Sequence, residues 1–381
     1  MCISGVNENR GLPKAVHLTS AHLRSDPRIL LKMCASLSNN GYQTSLIVAD
    51  GMGFEKYEGI CIHDVGSPSG RIDRILNAPK RVFDLALALD ADIYHLHDPE
   101  LIPMGLKLKR HGKKVIFDSH EDVPKQLLGK RYLPQLLLRT LSLIFAVFER
   151  FACSGFDAIV GATPHISDKF SKFNARSIAI NNFPLIGELE PNGKQHKRSA
   201  VAYIGAITEM RGIREMVHAI GCAEADVRLS IAGHFSEKEL AEEMRKSSGW
   251  QLVDEAGYLD REGVRDLLSR SAIGLVTLRP SVNYIDALPI KMFEYMSAGV
   301  PVIASDFPIW RAIIEGNNCG ICVDPLDPLA IAAAIDALTK DPECARKMGQ
   351  NGRKAVQEKF NWTIEEKKLL NLYENLMSGQ S

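Results

Sequence analysis

An α/β architecture of two Rossmann-like, doubly wound domains follows from three features of this chain. Short β-branched runs alternate with helical patterns, a polar stretch containing Pro and Gly interrupts them near the middle, and the alternation then restarts. The expected organisation is a first domain over 1–185, a linker over 186–199, a second domain over 200–360 and a terminal helical segment over 361–381. A length of 381 residues leaves room for two or three domains at roughly 150 residues each.

In the first half, strands are expected over 15–19, 44–49, 60–65, 92–97, 114–118, 157–161 and 177–180. Helices fit between them over 27–40, 71–89, 100–110, 136–152 and 164–173. In the second half, strands fall at 201–204, 228–232, 251–253, 273–277, 301–304 and 320–323, with helices at 212–222, 236–245, 261–269, 289–298, 328–338 and 342–359. A last amphipathic stretch covers 363–377. Two doubly wound halves joined by one hinge imply a cleft between the loops at the carboxyl ends of their strands, where such sheets bind ligands.

Bulk properties exclude several classes. Lys plus Arg equals Asp plus Glu at 46 each, so no global field attracts nucleic acid. The 8 cysteines are scattered through apolar segments with no signal peptide ahead of them, which points to reduced cytosolic thiols rather than a disulfide framework. Cys319 and Cys322 form a lone C-x-x-C inside a strand-like run, without the second pair that a zinc site needs. No window reaches the ~18 apolar residues needed to span a bilayer, and 141–148 is fenced by Arg139 and Glu149. Neither half carries G-x-G-x-x-G or a P-loop, which weighs against a dehydrogenase or a nucleoside triphosphatase.

The most informative segment runs from Asp286 to Gly299 and continues into Val-Pro-Val-Ile-Ala-Ser. Pro289 is expected to open a helix that Gly299 closes. Leu288 offers no side-chain oxygen as a cap, so the first amides point outward and favour an anion. Lys291 and Glu294 share one face just inside that end. Such a cradle suits a diphosphate held by amides and a cation, with a carboxylate accepting two hydrogen bonds from a ribose diol. A capped surface helix carrying a Lys291–Glu294 pair is the plainer alternative.

This segment resembles the donor-site signature of the retaining family 4 glycosyltransferases, which have the GT-B fold: Glu, seven residues, Glu, a central Pro, then Ala-Gly-x-Pro-Val-Ile. Asp286 stands where the family has the first Glu. The resemblance implies contacts to a nucleoside diphosphate sugar from Ala287, Leu288, Pro289 and Glu294. A second element, Tyr203 to Gly212, is similar to the family's Gly-Arg…Lys-Gly stretch, with Gly205 allowing close backbone approach and Arg211 clamping phosphate. Ala206 occupies the family's Arg position, so Lys291 is expected to supply the missing charge. Gly233, His234, Tyr258 and Leu259 match positions that contact the nucleotide.

Three strand ends of the first half are unusually polar: His17 to His22, His95-Leu-His97-Asp98, and Asp118-Ser-His120-Glu121-Asp122. His95 and His97 share a strand face at a two-ligand spacing, but a cation site needs a third ligand, and no metal is assigned. Asp90-Ala-Asp92 precedes a strand and reads as a turn. The Asp118–Glu121 run resembles the family's Asp-x-His-Glu stretch, whose His, here His120, orients the transferred sugar. Asp98-Pro-Glu100 and Ser25-Asp26-Pro27-Arg28 resemble a bacterial surface-polysaccharide branch. The Gly-Gly pair usual after the first strand is absent, with Ala21-His22 in that region. Residues 125–148 combine apolar bulk with basic residues, which suits either an interfacial segment or a long core helix.

The resemblance implies sugar transfer with retention, the first domain serving the acceptor and the second the donor, the terminal segment crossing back to the first domain, and no cofactor or metal. Arg211 and Lys291 would steady the leaving diphosphate, Glu294 the ribose, Asp286 a hydroxyl of the transferred sugar. The expected partners are a nucleotide-sugar donor and a saccharide or polyprenyl-diphosphate-linked acceptor, with peripheral membrane contact through 125–148 and a cytoplasmic location, on the inner face of the plasma membrane. A nucleotide-sugar 2-epimerase and a non-catalytic nucleotide-binding scaffold are the alternatives.

Overall fold

The computed structural model describes residues 11–129, 133–190 and 198–379. The chain divides into two compact units, Met1–Asn182 with Glu365–Ser381, and Phe183–Ile364. Lys130 and Arg131 of the apolar-basic stretch, and 191–197 of the expected linker, lie outside the described residues.

Unit 1 contains β1 (Lys14–Leu18), β2 (Gln43–Val48), β3 (Glu55–Tyr57), β4 (Ile60–Asp64), β5 (Ile93–Leu96), β6 (Lys114–Ser119), β7 (Ala158–Gly161) and β8 (Ser177–Ala179). They form one sheet in the order β3-β4-β2-β1-β5-β6-β7-β8, parallel except where β3 pairs with β4. The order reverses beside β1, so the switch point falls between β1 and β5, where His17 stands opposite His95. Every residue of β5 is buried, as a strand covered on both faces requires. Two histidines at the centre of such apolar strands therefore need partners within the fold.

Unit 2 contains β9 (Ala200–Ile204), β10 (Arg228–Ala232), β11 (Val253–Gly257), β12 (Ser271–Val276), β13 (Val302–Ser305) and β14 (Gly320–Val323). The all-parallel order is β11-β10-β9-β12-β13-β14, with the switch point between β9 and β12. One face is covered by Tyr295, Phe293 and Trp310, the other by Met216, Ile220 and Ile335. Gly212 (φ 79°) turns the chain from β9 into the helix Ile213–Cys222, and a Cβ there would lie 2.1 Å from the Thr277 carbonyl oxygen. Only glycine meets both demands.

Several elements depart from expectation. The helix expected over 27–40 winds as a π-helix over Pro27–Cys34 before an α-helical Ala35–Asn39. Asp26 caps it by accepting from the Arg28 and Ile29 amides. The helix expected over 71–89 breaks at Asn77 into Arg71–Leu76 and Ala78–Leu89. β3, three polar residues joined to β4 through Glu58 and Gly59 at positive φ, has no apolar alternation to betray it. The strand expected at 251–253 begins only at Val253, because Ser248–Leu252 forms a 3-10 turn. The helices Val123–Leu128 and Pro308–Ile314 are additional; both are short, with Pro at the second and the first position respectively.

The segment 136–152 forms the helix Gln135–Ser154, which packs one face on the core of unit 1 and leaves the other open. Leu138, Ser142, Glu149, Ala152 and Cys153 are buried, while Leu136, Leu143, Ile144, Val147 and Phe151 are exposed. Among the described residues no helix is long and apolar enough to cross a membrane. The cysteines of the described residues are free, and burial pushes the Cys319 and Cys322 thiols up to about 12.

Candidate functional site: a cationic glycine turn beside a buried carboxylate

The helix Ile290–Ser297 starts one residue later than expected, with Pro289 as its N-cap rather than its first helical residue. No side chain of the described residues caps it, so amides of the first turn remain donors for an anion. Met292, Phe293, Tyr295 and Met296 are fully buried, each worth about 1.5–3 kcal/mol, which fixes the helix in place. The Tyr295 hydroxyl accepts from the Ile204 amide at 2.9 Å, tying the helix to the end of β9. Trp310 Nε1 donates to the Ala287 carbonyl at 2.7 Å and steadies the approach to Pro289.

Glu294 is only 2% exposed, and a carboxylate so buried requires compensation. Arg261 Nη1 lies 2.5 Å from Oε1 and Lys291 Nζ 3.0 Å from Oε2. Burial alone would raise the Glu294 pKa, but Lys291 and Arg261 outweigh it and hold the carboxyl at about 2. Arg261 also pairs with Glu188 at 2.6 Å. Sequence reasoning missed Arg261. Its signal was an arginine opening a helix directly after the Gly257–Leu259 strand end, with Asp260 capping that helix through the Gly263 amide at 2.8 Å.

Gly205 sits at φ 136°, and a Cβ there would lie 2.9 Å from Arg211 Nη1 and 3.5 Å from Lys291 Cε. The two cations thus flank the turn after β9. Gly233 presses on the same turn, since a Cβ on it would fall 1.8 Å from the Gly205 carbonyl oxygen. The Gly205 amide donates to Ala232, and the Gly233 amide donates to Gly257. Beyond this ladder the rings of His234 and Tyr258 stack, with centroids 5.9 Å apart and planes 10° from parallel. Tyr258 is 73% exposed and presents a bare aromatic face. Leu259 and Leu288 pack partly buried on the core, and Asp286 stands half-buried in the loop before Pro289. The Ala206 carbonyl accepts from the Tyr203 hydroxyl at 2.6 Å.

The expected candidate in unit 1, His120, is anchored by Nε2 to Asp118 Oδ2 at 2.9 Å. Arg28 grips the same carboxylate through Nε at 2.9 Å and Nη2 at 2.7 Å. Burial opposes its ionisation, yet Arg28, His120 and His97 hold its pKa well below the usual carboxylate range. The loop after β1 carries no open anion cradle: Asp98 Oδ2 accepts from the Ser20 amide at 2.6 Å, the Ala21 amide at 3.2 Å and Thr19 Oγ1 at 2.7 Å. His22 also binds Asp98, at 2.8 Å, which raises the His22 pKa in spite of its burial.

Ring nitrogens of His17, His95 and His97 lie within 4.8 Å of one another, as do the ligand atoms of His97, Asp118 and His120. The first three rings are stacked, with planes 30°, 16° and 14° apart. His17 Nδ1 and His97 Nε2 already face each other at hydrogen-bond distance, 2.8 Å. In the second group Asp118 is already neutralised by Arg28.

Residues 188–355 match the family described as Glycosyl transferases group 1, and residues 28–182 match Glycosyltransferase Family 4. Phosphatidyl-myo-inositol mannosyltransferase of Mycobacterium leprae is 22% identical over 306 residues, 77% of this chain and 75% of that protein. Alpha-maltose-1-phosphate synthase of Mycolicibacterium smegmatis is 29% identical over 196 residues, so the match spans 48% of this chain and about half, 49%, of the synthase. Among solved structures, sucrose-phosphate synthase of Thermosynechococcus elongatus superposes with a TM-score of 0.77 at 17% identity, covering 97% of this chain and 100% of that one. Anabaena HepE in complex with UDP gives 0.72 at 12% identity, covering 95% and 100%. The two matched stretches take in most of both units: the chain belongs to the family 4 glycosyltransferases and has the GT-B fold.

Proposed function

We propose that the chain moves a sugar from a nucleoside diphosphate sugar to a saccharide or polyprenyl-diphosphate-linked saccharide, with retention at the anomeric carbon, in the synthesis of a cell-surface polysaccharide. The observation that carries this reading is the convergence of Gly205, Arg211 and Lys291 beside an uncapped helix start and the buried Glu294. That set matches a diphosphate joined to a ribose. The first-turn amides and Arg211 take phosphate oxygens. Lys291, which pairs with Glu294 and also borders the Gly205 turn, reaches from the carboxylate to the phosphate and supplies the charge that Ala206 lacks.

Glu294 accepts the ribose diol, the His234–Tyr258 stack lies under the base, and Asp286 holds a hydroxyl of the transferred sugar; in unit 1, His120 is proposed as a group that contacts a sugar hydroxyl. The leaving diphosphate takes the acceptor proton on the same face while Arg211 and Lys291 neutralise it. Catalysis in this scheme is positioning and electrostatic stabilisation. No cofactor or metal enters it. HepE has been solved with UDP-glucose as well as with UDP, which makes a UDP-sugar the first donor to test.

The reading extends to a lipid surface. The exposed Leu136, Leu143, Ile144, Val147 and Phe151 share their helix with exposed Arg139 and Arg150, a pairing that favours an anionic bilayer interface. The proposed location is accordingly the cytoplasm, at the inner face of the plasma membrane. The reaction is tested by incubating purified protein with a panel of nucleoside diphosphate sugars and lipid-linked saccharides, with and without Glu294→Ala. Transfer that falls by orders of magnitude in a folded variant supports the assignment. Near-normal transfer by the variant, or donor altered without any acceptor, refutes it.

A further inference from the structure

We infer that His17, His97 and Tyr373 are positioning residues, forming a one-way hydrogen-bond chain that ends on Asp118 and fixes which ring nitrogen His120 turns towards a ligand. The inference rests on the proposed sugar-transfer reading for its purpose but not for its geometry.

The chain is continuous. Tyr373 Oη lies 2.9 Å from His95 Nδ1 and 3.3 Å from His17 Nε2. His17 Nδ1 lies 2.8 Å from His97 Nε2, and His97 Nδ1 lies 3.1 Å from Asp118 Oδ2. All these side chains are buried, and burial keeps the three histidines neutral.

The protons can be assigned from one end. Asp118 is ionised, so it only accepts, and His97 must carry its proton on Nδ1. A neutral His97 then accepts at Nε2, so His17 must donate from Nδ1. His17 Nε2 is left as an acceptor for the Tyr373 hydroxyl, which in turn accepts from His95 Nδ1. The last acceptor, His95 Nε2, has no partner among the described residues. The reverse arrangement at that end would strand a buried N–H instead, the rarer and costlier defect.

Every N–H and O–H along the chain therefore points towards Asp118, and aligned bonds strengthen one another in a dry interior. His120 also donates to Asp118 from Nε2. With that proton on Nε2, a neutral ring offers Nδ1 as an acceptor, which a sugar hydroxyl fills and a phosphate oxygen does not; the His120 side chain is 22% exposed. Tyr373 belongs to the helix Trp362–Ser378, which gives that terminal helix a part in aiming His120.

Long-range proton–nitrogen NMR spectra of histidine-labelled, full-length protein read the tautomers directly. The expected result is Nδ1–H at His17 and His97 and Nε2–H at His120. Nε2–H at His97, or Nδ1–H at His120, overturns the chain. A second arm uses Tyr373→Phe, which keeps the ring and deletes the hydroxyl. It should lower kcat for transfer about tenfold with donor KM within about twofold, and shift the His120 nitrogen signals. Unchanged kcat with unchanged signals overturns the positioning role. The spectra decide the chain even if the wild-type protein transfers no sugar, an outcome that would count against the reaction alone.

Discussion

Arg261 and Glu294 meet at 2.5 Å, Nη1 to Oε1, and extend an alternating line of charge from Glu188 through Arg261 and Glu294 to Lys291. The carboxylate in the middle is almost sealed from water, whereas the Arg261 side chain is 35% exposed. Arg261 therefore acts as an anchor that leaves the second carboxylate oxygen, and Lys291, facing the glycine turn.

Removing that anchor has a calculable consequence. A fully buried pair broken on one side costs about 3–5 kcal/mol, and partial exposure of Arg261 reduces this to about 1–2 kcal/mol. Urea unfolding of Arg261→Ala should show that loss. Donor affinity, read by calorimetry, should weaken about tenfold, because Lys291 is drawn fully onto Glu294. Unchanged affinity would show that Arg261 has no bearing on the donor.

Lys291→Ala removes a cation from a site in which Ala206 already lacks one. Charge-assisted bonds to phosphate are worth about 1.5–3 kcal/mol, so donor affinity should fall by about ten- to a hundredfold. Equal affinity and turnover in this variant would end the idea that Lys291 compensates for Ala206.

Acid should weaken the first unit before it touches the second. His17, His95 and His97 have folded pKa values depressed by burial. Below about pH 6.5 the unfolded chain takes up protons that these rings refuse, so stability falls with pH by up to about 1.4 kcal/mol per unit for each such ring. His22 has the opposite shift; its contribution is complete below about pH 6.5 and is lost as pH rises through its folded value. Glu294, held at about 2, loses its contribution only as pH falls from the usual carboxylate range towards that value. Chemical unfolding between about pH 7 and pH 5.5 should show the decline, and His95→Gln should flatten it.

Ile144→Ser with Val147→Ser tests the lipid surface. Both side chains are exposed, at 61% and 63%, so stability should stay within about 0.5 kcal/mol of wild type. Flotation with anionic vesicles should drop severalfold. Equal flotation of the variant would place the contact elsewhere.

Much of the fold was legible because it rests on period and punctuation. Buried parallel strands such as β5 and β13 read as β-branched runs, and helix ends carry Pro, Asp or Gly where the backbone needs them. β3 was not legible, since a three-residue polar edge strand owes its existence to its neighbour β4. At the candidate site, the Pro289–Glu294 helix announced itself through an uncapped start and a charged pair three residues apart. Arg261, opening a helix after the Gly257–Leu259 strand end, did not point to Glu294, because their meeting spans 33 positions in sequence. The polar ends of β1, β5 and β6 were visible, but their linkage through Tyr373, 278 positions beyond His95, was not.

The most direct measurement is a crystal structure of the protein with a nucleoside diphosphate sugar bound. The account predicts diphosphate density at the start of the helix Ile290–Ser297, touching Arg211 and Lys291, with the ribose hydroxyls on Glu294 and the base against Tyr258. A donor seated elsewhere, or Glu294 still locked between Arg261 and Lys291 with no contact to ribose, would contradict it.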